Sequence, residues 1–123
     1  MARIKLNPQT AEVFYLYLQT CITLKPHTND AVKEYTLARL VQKVIYKIDH
    51  MQLKYKEAST YKIKSIQFTE LQLLAINIYM TRYEFHIYLM PLQQEINETI
   101  RRHYPQLVNL LSNNIQWKNF LNS

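Results

Sequence analysis

Not one of the chain's 123 residues is a glycine. That absence limits the available folds more than any motif present. P-loops, dinucleotide fingerprints and G-x-S-x-G nucleophile elbows all place glycine where the backbone turns sharply or closes on a ligand, so none of them can exist here. Tight two-residue hairpins and large β architectures are disfavoured for the same reason. Helix ends must close on Asn, on Pro or by fraying, without a left-handed glycine cap. The expected class is therefore all-α.

The stretch 69–90 is the natural centre of such a fold. Thr69 followed by Gln72 fits a capping box, so a helix should begin there. Leu73, Ile76, Met80, Tyr83, Ile87 and Met90 recur at steps of three and four, and Leu71, Leu74, Ala75, Ile78, Phe85 and Leu89 form a second apolar face. A helix apolar on two faces has to be covered on two sides. The spacing predicts a central helix running to about Met90. Pro91 should then break or sharply kink it, because proline removes a backbone donor and crowds the preceding turn.

The other segments arrange themselves around it. Residues 2–6 alternate apolar and basic side chains, as do 61–64 before Ile66 and Phe68. These segments could pair as a two-stranded ribbon, about 2–6 with 61–68, or serve as unrelated extended lead-ins. Asn7-Pro8 is a helix start, with Ala11, Phe14, Tyr15, Leu18 and Ile22 on the apolar face and an end near Leu24, before Pro26. Thr28, Asn29 and Asp30 offer caps for a second helix reaching about Ser59. Its core stripe is Leu37, Val41, Val44, Ile48, Met51, Tyr55 and Ala58, with steps suited to shallow-angle bundle packing. After Pro91, Leu92, Ile96, Ile100 and Tyr104 share a face, and Arg101, Arg102 and His103 suit a last turn. Pro105 opens a final piece with Leu107, Val108, Leu110 and Leu111 buried. The expected architecture is a single helical domain over 1–123, a small bundle of four or five helices with a short β ribbon.

Candidate chemistry is sparse. Four histidines occur without H-x-x-x-H spacing or a cysteine cluster, so no metal site is expected, and no cofactor motif is present. Cys21, the only cysteine, cannot form an internal disulfide and implies a reducing compartment. Beside Leu18 and Ile22 it reads as a small core residue. His86 reads as a partly buried, hydrogen-bonded histidine. Arg82 and Glu84 could each join an ion pair with another helix. No window carries the roughly 20 predominantly apolar residues of a membrane span; the best, 71–90, contains Gln72, Asn77, Arg82, Glu84 and His86. No enzyme motif stands out.

Two contact surfaces remain. Arg39, Lys43, Lys47, His50 and Lys54 fall within roughly an 80° sector of the second helix, with Lys62 and Lys64 just beyond, and a net charge of +6 permits a polyanion partner. Lysine rows interleaved with tyrosines suit phosphate contact and base stacking; a solvated helix face is the plainer explanation. Separately, Tyr46, Leu53, Trp117, Phe120 and Leu121 are large apolar residues without an obvious place in the core, a composition typical of protein interfaces. The expectation is a non-enzymatic structural or interaction protein that packs against a protein partner or against itself, with a nucleic-acid-binding module as the alternative. It would act in the cytoplasm or within an assembled particle. Abundant Ile, Lys, Asn and Tyr suit an AT-rich coding sequence, as in phages and mobile elements.

Overall fold

The computed structural model describes residues 2–25, 28–57 and 63–105. Among them are four α-helices, α1 (Pro8–Thr23), α2 (Ala31–Glu57), α3 (Glu70–Arg82) and α4 (Met90–His103), and two strands, β1 (Ala2–Leu6) and β2 (Lys64–Phe68). The molecule is a small helical bundle with an antiparallel ribbon. Ala2 pairs with Phe68, Ile4 with Ile66 and Leu6 with Lys64. This register puts Ala2, Ile4, Leu6, Ile66 and Phe68 on one buried face and leaves Arg3, Lys5, Ser65 and Gln67 outside, as the period of two requires. Lys62 lies outside the described residues and Ile63 precedes the strand.

Helix starts follow local chemistry. The Asn7 side chain accepts from the Thr10 amide at 2.8 Å, with Pro8 in the first turn of α1. Asp30 Oδ1 accepts from the Lys33 amide at 3.1 Å and so caps α2. Thr69 and Gln72 complete a reciprocal capping box at α3. No described residue has a positive φ. Leu24 and Tyr83 leave α1 and α3 in extended conformation, so these helices end without the left-handed residue that glycine usually provides.

The core forms one cluster. The long α2 packs on α1, α3 and β2; α4 packs on α3 and β1. Nine successive residues of α3, 72–80, are buried, so this stretch of the helix is enclosed on all sides. On α2 the stripe Leu37, Val41, Val44, Ile48 and Met51 is buried, joined by Ile45; the Tyr55 side chain and Ala58 lie outside the described part. On α4, Leu92, Ile96 and Ile100 are buried, and Tyr104 packs against the cluster. Asn77 of α3 donates to Asn97 of α4, a partly buried polar link that the periodicity does not reveal.

The central helix is shorter than its pattern suggests. It ends at Arg82, and a 3-10 turn, Ile87–Leu89, leads into α4. Pro91 thus sits in the first turn of a new helix. Two contacts explain the early end. The Tyr17 hydroxyl of α1 donates to the Tyr83 carbonyl at 2.8 Å, an acceptor at the helix end with no intrahelical donor, and lies 3.2 Å from the Tyr79 carbonyl, which already accepts from the Tyr83 amide at 2.9 Å. Phe85 packs edge-on against Tyr17, with ring centroids 6.3 Å apart. His86 is exposed, contrary to its expected partial burial, and its Nδ1 accepts from the Tyr88 amide at 3.1 Å to start the 3-10 turn. Leu71, Ile87 and Met90, expected in the core, are also exposed.

Candidate functional site

A buried polar cluster joins two helices and the loop that leads into α2. Arg82 Nη1 donates to Glu34 Oε2 at 2.8 Å, linking α3 to α2, and the two side chains are only 8% and 9% exposed. Thr28 donates to the other carboxylate oxygen at 2.8 Å. Burial pushes the Glu34 carboxyl up, but the hydrogen bonds from Arg82 and Thr28 and the guanidinium charge outweigh it and hold the group below its usual value. Glu84, which could also have joined an ion pair with another helix, is exposed. Beside the pair lies a cavity of about 260 Å³ walled by Ile22, Leu24, Tyr79 and Tyr83. Burial, with nearby Tyr83 and Glu34, pushes the Tyr79 phenol up to about 12. Burial also raises the Cys21 thiol, more than its hydrogen bond with Tyr17 lowers it. These groups hold fixed protonation states near neutral pH. With both Glu34 oxygens engaged, the arrangement acts as an anchor between helices.

The surface of α2 is different. At about 100° per residue, its core stripe and its exposed residues lie on opposite sides. Tyr35, Tyr46 and Leu53, exposed at 65%, 66% and 51%, fall within about 20° of one another on this rotation. Arg39, Lys43, His50 and Lys54, all exposed, form a second row roughly 60° further round. The candidate basic residues and the candidate apolar contacts therefore share one outward face. It runs about 30 Å from Val32 to Leu53 at the helical rise. The Arg39 guanidinium lies 6.0 Å from the centroid of the Tyr35 ring, which steadies it by cation–π attraction.

Two members of the expected basic stripe are not on this face. Lys47, expected in solvent, turns inward. Its Nζ donates to the Gln67 carbonyl at 2.7 Å and to Gln72 Oε1 at 2.9 Å, tying α2 to the junction of β2 and α3. Burial lowers its pKa below the ordinary lysine value. Lys64 lies on β2, opposite Leu6. Lys62, Trp117, Phe120 and Leu121 are outside the described residues. Lys47→Met should cost about 1.5–3 kcal/mol, the range for hydrogen bonds to a charged group. Lys43→Met, at an exposed position, should stay within about 0.5 kcal/mol of wild type. Urea melts of the two variants compare them directly; equal midpoints would remove the structural role of Lys47.

No described group of His, Cys, Asp and Glu could hold a metal ion, and no described helix is long and apolar enough to cross a membrane. Fold and surface together define a small, basic helical bundle with an amphipathic outer helix. The chain matches no protein-family profile, no curated protein and no solved structure.

Proposed function

We propose that this is a non-enzymatic interaction protein whose contact surface is the outward face of α2, with another protein as its partner. The supporting observation is the exposed row Tyr35, Tyr46 and Leu53 on a helix whose opposite side already fills the core. Large exposed side chains aligned along one face have no part in internal packing and resemble the anchors of protein interfaces. The lone cysteine supports action in a reducing compartment such as the cytoplasm.

A display selection tests this and needs no named partner. Random helical peptides selected on the full chain should yield binders that lose at least tenfold in affinity toward Tyr46→Ser/Leu53→Ser. The circular dichroism melt of that variant should match wild type. Binders indifferent to the double substitution would overturn the reading.

The exposed cations Arg39, Lys43, His50 and Lys54 favour a second reading, a nucleic-acid-binding module. Under it, duplex DNA or single-stranded RNA would bind with a steep salt dependence that Arg39→Glu/Lys43→Glu flattens. Lys47 is unsuited to this test, because its amine ties α2 to the junction of β2 and α3.

A further inference from the structure

We infer that the outward face of α2 receives an acidic amphipathic helix of a second protein; the inference rests on the function proposed above. The argument is the asymmetry of the face. The apolar row Tyr35, Tyr46 and Leu53 has the cations Arg39, Lys43, His50 and Lys54 on one flank and Gln42 and Asp49 on the other. Glu34, the other carboxylate of α2 before residue 55, is buried and paired with Arg82. Among the described side chains of α2, Asp49 is the one exposed carboxylate, and it lies on the flank opposite the cationic row. A straight face about 30 Å long accommodates roughly 20 residues of a second helix. An apolar seam on that helix would cover Tyr46 and Leu53, and carboxylates along one edge would meet the cationic row. Opposite-charge flanks set partner choice and orientation in paired helices.

Other occupants fit less well. A second copy packed antiparallel would set cationic row against cationic row, and a parallel copy would offer it only Asp49. The net charge of +6 adds to that repulsion. A nucleic-acid backbone would satisfy the cations but would press Tyr46 and Leu53 against phosphates. It would also meet a gap at Lys47, whose amine is engaged by Gln67 and Gln72.

The test uses the full isotope-labelled chain and three designed 21-residue helices. All carry Leu along one seam; the edge meeting the cationic row carries Glu, Gln or Lys. Calorimetry reads affinity, and amide shifts in the magnetic resonance spectrum locate the contact. The Glu helix should bind at least tenfold more tightly than the Gln helix, with shifts concentrated on the exposed residues of α2. Arg39→Glu/Lys43→Glu should lose the Glu helix by at least tenfold and gain the Lys helix. Equal binding of Glu and Gln helices on this face would overturn the acidic partner yet leave the docking surface standing, and so would dilution-dependent shifts from self-pairing. Unstructured polyglutamate or duplex DNA binding as tightly as the Glu helix would replace a helical occupant by a general polyanion. Failure of every helix to perturb α2 would overturn both the inference and the function it rests on.

Discussion

Ile76→Asp is expected to leave the chain unfolded under native conditions. Ile76 is fully buried in the middle of α3, and the residues on either side of it, from 72 to 80, are buried too. An introduced carboxylate would find no solvent around this stretch of the helix. Burying an ionised group unpaired costs several kcal/mol or forces its protonation. The total stability of a domain this size is about 5–15 kcal/mol, so one such change consumes much of it. The matched control is Leu71→Asp, five residues earlier on the same helix. Leu71 is exposed, and a carboxylate near a helix N-terminus is favourably placed against the helix dipole. Its stability should stay within about 0.5 kcal/mol of wild type. Circular dichroism melts of both variants decide the matter. An Ile76→Asp protein that melts with wild type, or a Leu71→Asp protein that unfolds as well, would contradict the position of α3.

Arg82→Met should be the next most damaging change, because it strands the Glu34 carboxylate. Removing one partner of a buried ion pair costs about 3–5 kcal/mol, whereas replacing both by apolar groups of similar volume is often neutral. Glu34→Met/Arg82→Met should therefore recover most of the loss. The pH dependence should reverse sign between wild type and the single variant. In wild type the folded-state pKa of Glu34 is lowered. Its stabilising contribution is fully present above the unfolded carboxyl pKa of about 4.3 and is lost as pH falls through the lower folded value. In Arg82→Met, burial without the guanidinium should raise the folded pKa above the unfolded one. The folded state then binds the extra proton, and this carboxyl makes the variant gain stability as pH falls from 7 toward 4. Urea unfolding at several pH values reads the difference. Parallel pH profiles for the two proteins would show that Arg82 does not control Glu34.

Much of this fold is legible in short-range chemistry. Asn7-Pro8 and the Thr69–Gln72 box act across three residues, so the starts of α1 and α3 follow directly from their side chains. The alternation of residues 2–6 and 64–68 allows the ribbon, and the three-and-four spacing of α2 and α4 marks their buried stripes. The end of α3 is not legible in this way. Its apolar repeat continues past Tyr83 without interruption, and what stops it is a hydroxyl 66 residues away in the chain.

The same limit governs the contact surface. Lys43 and Lys47 both belong to the basic stripe of α2, and the rotation of the helix sets Lys47 only about 40° nearer the core stripe. Lys43 is free to meet a partner because its side of α2 faces solvent. Lys47 is withdrawn because the junction of β2 and α3 comes within 3 Å of its amine. Arg82 could likewise have paired with several acids, but only folding brings Glu34, 48 residues away, to 2.8 Å. Helix identity, caps and amphipathic stripes depend on neighbours within about one turn, and the chain carries that information locally. Helix ends, ion-pair partners and the side of α2 left open depend on contacts between distant segments, which exist only once the core has closed.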